Sequence, residues 1–470
     1  LGRFYDAMLL WAMPSIAGDA GTIEISAAGG KWAETGTWVG GVVPTAAEDV
    51  VAQVEGKSGN LTVAVAGQAC RSLDLANYTK VFRIEAVSLA IGTTTAGPGN
   101  RAFRLSAGMT LTTLNGSTLE FVGTSATEQT IEMAGKSANN SVVKFNGAGG
   151  SWKFVGSGGI AAEVRLAKGK LNLGEQTFTW GRFLREGEAA ATLAKKGSTI
   201  QVTATSLIAW NVASVVNFTL EDDATSTLKL AAPSGASATE FRGGNGLSYG
   251  NVIIEGAGTG SVTFAVAGCS FNKLDLSAAA GRVIKLAGEK TFTVKEAVAT
   301  GSAGKLVTIE STTAGKAWIL KCTSGTISWD YVSLKDSKAE GGATFYAGAN
   351  STNVSGNSGW TFTAPEAAPT VTTGEAPVEI AARLLGAVNP NGAATEVAFE
   401  WGTTEAYGQV TASVAIGSGH ASVAVSAIIT GLVSSTLYHY RPVATNGKGS
   451  TAGADQSFVA AGGAVVSVVL

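Results

Sequence analysis

The sequence predicts an all-β chain in two parts, a long stack of parallel coils followed by a smaller sandwich. Three observations carry that expectation. Short apolar–polar–apolar triplets recur across residues 31–363, the period-two signature of strands with one buried face. Glycine supplies 62 of the 470 residues, too many for helices and suited to turns that need positive φ. One strand–turn–strand stretch is echoed much later in the chain, as a repeating architecture requires.

Composition narrows the function classes. Only 14% of residues are charged while 45% are hydrophobic, which excludes a disordered polyelectrolyte. Thirty-three basic residues face 35 acidic ones, for a net charge of -2. That balance argues against a nucleic-acid partner, which needs a concentrated basic face, and against electrostatic attachment to anionic membranes. Two His and three Cys without a C-x-x-C pair leave little for His-based catalysis, a disulfide framework or a zinc ribbon.

Residues 1–30 read as an N-terminal docking segment. Its apolar block FYDAMLLWAM (residues 4–13) contains Asp6 and stops at Pro14, about half the length of a bilayer span. Arg3 in front and small residues at 17–20 leave a signal-peptide reading open beside the docking one.

Residues 31–363 carry the triplets, among them Leu73-Asp74-Leu75, Leu119-Glu120-Phe121, Val143-Lys144-Phe145 and Trp152-Lys153-Phe154. Val164-Arg165-Leu166, Leu171-Asn172-Leu173, Leu274-Asp275-Leu276 and Val332-Ser333-Leu334 follow. The outer residues of each should be buried and the middle one, often charged, should face solvent. LTVAVAGQACRSLDL (residues 61–75) aligns without a gap on VTFAVAGCSFNKLDL (residues 262–276). A repeated unit of this kind can bury its face only against neighbours, which favours a solenoid. With roughly 22 residues per coil and a rise of about 4.8 Å, the region makes on the order of 15 coils. A pair of sandwiches is the alternative, because no fixed repeat length runs through the region.

KWAETGTWVGGVVPTAAEDVV (residues 31–51) and SGTISWDYVSLKDSKAEGGATFYAGANSTNVSGNSGWTF (residues 324–362) resemble the first and last coils of β-helical regions in bacteriophage tail and other virion surface proteins. That resemblance implies a right-handed parallel β-helix whose open end must be covered. Trp329, Phe345, Tyr346 and Trp360 are large enough to plug it.

TAPEAAPTVTTGEAP (residues 363–377) holds three Pro, and residues 364–377 read as a linker. Residues 378–460 have longer alternating strands, with Val397, Phe399 and Trp401 on one face and Tyr438 and Tyr440 on another. TGLVSSTLY (residues 430–438) has the form of a tyrosine corner. With GAVNPNGAATEVAFEWGTTEAYG and YRPVATNGKGSTAGADQSF, this unit resembles a bacterial fibronectin type III-like sandwich, of the immunoglobulin-like class. The tail, residues 461–470, ends in AVVSVVL. It is uncharged and β-branched, and is expected to add as a strand to a neighbouring subunit.

Chemistry-bearing residues are few. His439 should face away from Tyr438 and Tyr440, as a solvated His without a partner, and His420 should be solvated too. Cys70, Cys269 and Cys322 read as small buried thiols. Asp222 with Asp223, and Asp330 with Asp336 and Glu340, are the carboxylates to test against glycan hydrolysis. Neighbours on a strand point to opposite faces, so Asp222 and Asp223 suit a turn better than a catalytic pair. Asp330 and Asp336 also suit turns. Residues 348–359, rich in Asn, read as a turn cluster. No catalytic residue, cofactor or metal site is therefore expected.

The resemblances imply a non-enzymatic structural protein on a virion surface, in tail, fibre or capsid, outside the cell. Expected partners are other virion proteins and further copies of the chain, a trimer in the case of a fibre. A host-surface glycan is the other partner class. Nucleic acid and a membrane span are not expected. A bacterial surface adhesin and a tailspike-type glycan depolymerase are the alternatives.

Overall fold

A computed structural model describes residues 21–52, 58–156, 161–203, 208–231, 238–255, 260–265, 268–375 and 382–461. The chain divides into two compact units, one within residues 1–345 and 351–360, the other within residues 346–350 and 361–470. Most of the expected N-terminal docking segment and nearly all of the C-terminal tail lie outside the described residues.

The first unit is a parallel β-solenoid of about 13 turns. Each strand pairs in parallel with the strand one coil away. Leu228 stands beside Val252 and Leu230 beside Ile254; Val252 in turn stands beside Leu274, and Leu274 beside Ala297. All five of the earlier residues and Ala297 are buried. Stacking like on like leaves each coil's apolar face covered by its neighbours, as no single coil could manage alone.

Period two decides what is inside. In all eight triplets named above, both outer residues are buried. The middle residues, expected to face solvent, are less covered than their neighbours but still half-buried. The reason is pairing between coils. Asp74 accepts from Arg101 and Arg104, each at 2.7 Å, and Lys144 lies 3.2 Å from Glu186.

Pairing reaches back to Thr22–Glu24, which stands beside Asp49–Val51, so the stack includes residues of the segment expected to serve for docking. The two copies of the internal echo lie on different sheets. Leu61–Val63 belongs to a four-stranded sheet and Val262–Phe264 to a 20-stranded one. Every face needs the same alternation, so the motif does not specify which face it occupies.

Ala138–Phe154 runs continuously over two faces. It pairs first with Ser117–Phe121 and then with Gln129–Glu132. The bend between these parts needs glycine. A Cβ on Gly147 would lie 1.8 Å from the Gly123 carbonyl oxygen, and one on Gly150 would lie 2.1 Å from it.

Aromatic residues close both ends of the described stack. Near its start, Trp32 and Trp38 meet edge to face at 5.0 Å, and the Trp38 indole donates to the Trp32 carbonyl at 2.8 Å. At the far end Trp360 packs on Trp329 at 4.7 Å and on Phe345 at 5.6 Å. Trp318 joins them, and Tyr346 belongs to the second unit.

Among the described residues the second unit has two antiparallel sheets. One pairs Thr370–Thr373 with Ala382–Asn389 and that strand with Val423–Ile429. The other centres on Thr395–Gly402 and Leu437–Asn446. Leu384, Phe399, Ile429, Tyr438, Tyr440 and Phe458 form its main core. The Tyr438 hydroxyl accepts the Val433 N–H at 3.1 Å, the bond expected of a tyrosine corner. Thr370–Thr373, inside the expected linker, is a strand of this unit.

Candidate functional site

Several charged side chains are buried against the alternation rule, and Lys195 is the most completely covered. It directly follows Ala191–Ala194, and Asp222 directly follows Phe218–Glu221. These strands pair in register, with Ala194 beside Glu221. Extending the register by one residue brings Lys195 against Asp222. The Lys195 side chain is 0% exposed and that of Asp222 2%, with Nζ 2.7 Å from Oδ2.

Every polar atom of this pair is engaged. Lys195 Nζ donates to Ser226 Oγ at 2.9 Å, and Ser226 Oγ donates to Asp222 Oδ1. Backbone N–H groups complete the shell, from Asp223 to Oδ1 at 2.8 Å and from Gly250 to Oδ2 at 3.0 Å. Only glycine fits at 250, because a Cβ there would lie 2.1 Å from the Asp223 carbonyl oxygen. Burial pulls the Lys195 ammonium below the usual lysine range, against the pull of Asp222. Asp222 and Asp223 follow the strand and have different surroundings, at the start of the turn expected for them. Asp223 caps its own turn, accepting from the Thr225 N–H at 3.0 Å and the Thr225 hydroxyl at 2.7 Å.

The other expected acids are also committed to local structure. Asp330 accepts from the Tyr331 N–H at 3.0 Å, and Asp336 from the Gly315 N–H at 3.0 Å. Glu340 pairs with Lys338 at 2.8 Å. In residues 348–359, Asn357 bridges the Leu334 carbonyl at 2.7 Å and the Ser337 hydroxyl at 2.6 Å, so it ties the last coil to the one before.

Shallow bays mark the solenoid surface, two of them lined by described residues. One, of about 360 Å³, is lined by Gly149, Gly150, Ser151, Lys170 and Asn217 among others, with Lys170 held by Glu221 at 3.0 Å. The second, of about 420 Å³, opens beside Asp222, Asp223, Ser248, Tyr249 and Asn272. Glycoside hydrolysis needs one carboxyl free to give a proton and another free to attack or to activate water. The two acids of this bay already hold Lys195, Ser226 and backbone N–H groups.

On the second unit, His439 faces away from the Tyr438 and Tyr440 side, as the alternation implied. It does have a partner, contrary to expectation: Nδ1 lies 2.8 Å from Asp455 Oδ2. The Tyr407 hydroxyl donates to the other oxygen of Asp455 at 3.0 Å. Glu405, His439 and Asp455 each offer a ligand atom, all within 4.8 Å of one another. One imidazole and two carboxylates are a donor set that a divalent cation could use. Its hydrogen bonds also close without an ion, and Arg441 stands nearby, stacked on Tyr407 at 4.7 Å and bonded to Glu400 at 2.8 Å. His420 is exposed, and its carbonyl accepts from Asn389 at 2.9 Å.

Cys70, Cys269 and Cys322 are buried and unpaired by disulfides. Burial pushes the thiols of Cys70 and Cys269 far up, away from the reactive thiolate. Among the described residues no helix is long and apolar enough to cross a membrane. No protein family, curated protein or solved structure matches this chain.

Proposed function

We propose that this protein is a non-enzymatic structural component of a bacteriophage virion, displayed on tail, fibre or capsid surface as a stiff scaffold. The observation that carries this reading is the long parallel ladder of the first unit. Its pairing runs from Thr22–Glu24 to Thr352–Ser355. Its interior is a chain of touching rings from Phe103 through Phe154 and Phe178 to Trp210 and on to Phe292. A backbone cross-bonded at every coil resists bending, and buried aromatic rings add dispersion along the same axis.

In this reading the solenoid is the spacer. The second unit, read as a fibronectin type III-like sandwich on the strength of the Tyr438 bond, is the displayed or clamping module. The pairs Asp74–Arg104, Lys144–Glu186 and Lys195–Asp222 serve the stack by joining one coil to another. Copies of the chain associate with each other and with other virion proteins, and a host glycan is the surface partner.

Antibodies raised against the recombinant chain test the proposal. They should decorate purified phage particles at a fixed position in electron micrographs. Particles that assemble without the chain and never bind the antibody would remove the virion reading. Release of reducing sugar from host polysaccharide by the purified chain would replace scaffold with depolymerase.

A further inference from the structure

We propose that Lys195 and Asp222 condense into an intramolecular amide, a covalent staple between two successive coils of the solenoid. This inference does not rest on the virion reading; it would hold wherever the protein is deployed.

The geometry carries it. Lys195 Nζ lies 2.7 Å from Asp222 Oδ2, so the amine is held against the carboxyl group it would attack. Neither side chain can swing away, because both are covered and the strands that precede them are locked in register. Fixing two reactants in this manner replaces a bimolecular encounter with a unimolecular step, and effective molarities of about 10⁵ M or more are known for well-oriented pairs.

The surroundings match the needs of each atom. Charge is costly to hold in a dry interior, and moving one proton from Nζ to the carboxylate leaves a neutral amine beside a neutral acid. Burial already disfavours the ammonium form. The Gly250 N–H on Oδ2, at 3.0 Å, sits where negative charge develops when the carbonyl is attacked. Ser226 Oγ touches both Nζ and Oδ1, so its hydroxyl can pass a proton from the attacking nitrogen to the departing oxygen.

The step balances without a co-reactant. The Nζ lone pair forms the C–N bond to Asp222 Cγ, the Cγ–Oδ1 bond breaks, and Oδ1 leaves as water with two protons drawn from the acid and the amine. Oδ2 remains as the amide oxygen. The bay of about 420 Å³ that opens beside Asp222 gives the expelled water a path to solvent. The product removes both buried charges and ties one coil to the next.

Intact mass spectrometry of the full chain, expressed recombinantly and unfolded in denaturant, tests this. The expected mass is lower than that of the sequence by one water. Proteolysis should then yield a branched peptide joining Lys195 to Asp222. Lys195→Met should restore the full sequence mass. Asp222→Asn should lose ammonia in place of water and give the same branched peptide, and Ser226→Ala should slow the appearance of the cross-link. Wild-type protein at its full sequence mass, with residues 195 and 222 in separate linear peptides, overturns the proposal. Loss of water that maps to any other site overturns it too. Because the decisive measurement is made on the wild-type chain, a variant that fails to fold leaves the answer unaffected.

Discussion

Phe121 and Phe145 stand in register on successive coils, with ring centroids 5.1 Å apart and planes 10° apart. Trp152 leans on both rings, at 6.4 Å from Phe121 and 5.4 Å from Phe145. The stack exists because parallel pairing repeats the same side-chain position at the spacing of neighbouring strands, close to the offset that aromatic rings prefer. In register, Phe121 lies between Ile91 and Phe145, and Phe145 between Phe121 and Leu166, all of them buried, so the interior has little freedom to close a gap.

Phe145→Ala is therefore expected to cost about 3–5 kcal/mol, the range for truncating a buried aromatic side chain. Phe145→Leu fills more of the space and should cost roughly 1.5 kcal/mol or less. Urea unfolding followed by far-ultraviolet circular dichroism measures both. Equal effects for the two substitutions would show that the site collapses freely and that the rings do not act as a rigid stack.

The bend in Ala138–Phe154 gives a second test. Gly150→Ala places a methyl group 2.1 Å from a backbone carbonyl oxygen, which cannot turn aside as a side chain could. The expected loss is about 1–3 kcal/mol. Gly36→Ala serves as the control, since open space surrounds that position, and it should shift stability by less than about 0.5 kcal/mol. Matching midpoints in a denaturant titration would contradict the close approach.

How much of this could be read from sequence depends on how local each determinant is. The outer residues of the triplets, such as Leu171 and Leu173, were legible because alternation alone decides which side of a strand is buried. The end plug of Trp329, Phe345 and Trp360 was legible because large apolar residues gather at a stack's exposed end. The face taken by Leu61–Val63 was not, because all faces demand the same alternation. Lys195 escaped notice for a related reason. Its burial depends on register with Asp222 one full coil away, and nothing in its own neighbourhood announces it. The partnership of His439 with Asp455 is likewise a consequence of the turn geometry after Leu437–Asn446, with no spacing motif to mark it.

Acid should weaken the solenoid through its paired carboxylates. Burial by itself would raise the pKa of Glu163, but hydrogen bonds from Arg165, at 2.7 Å, and from Arg182 outweigh it and hold the carboxyl below the usual range. Asp74 is depressed in the same way, with burial overcome by Arg104 and Arg101. A carboxylate whose folded pKa lies below its unfolded one stabilises the protein fully above about pH 4–5, and that contribution fades as pH falls through the folded value. Thermal midpoints should hold steady near neutrality and decline below about pH 4. Glu163→Gln should lower the neutral-pH midpoint and flatten the acid decline. A variant with the same acid slope as wild type would show that Glu163 does not carry it.

In the second unit, Tyr438 separates packing from hydrogen bonding. Its ring is 6% exposed and stacks on Phe458 at 5.8 Å, while its hydroxyl meets the N–H of Val433, a residue that is 63% exposed. Water can replace the hydroxyl at so exposed a residue, so Tyr438→Phe should cost only about 0.5–1.5 kcal/mol. Tyr438→Ala removes the ring from the core of Leu384, Phe399 and Phe458, and should cost about 3–5 kcal/mol. Hydrogen exchange resolved along the chain is the measurement. Both variants should speed exchange in Thr395–Gly402 and Leu437–Asn446 while leaving Thr227–Ala231 and Ser248–Glu255 in the solenoid unchanged. If Tyr438→Phe loosens the strands as much as Tyr438→Ala, the hydroxyl bond, and not the packed ring, is what holds this corner.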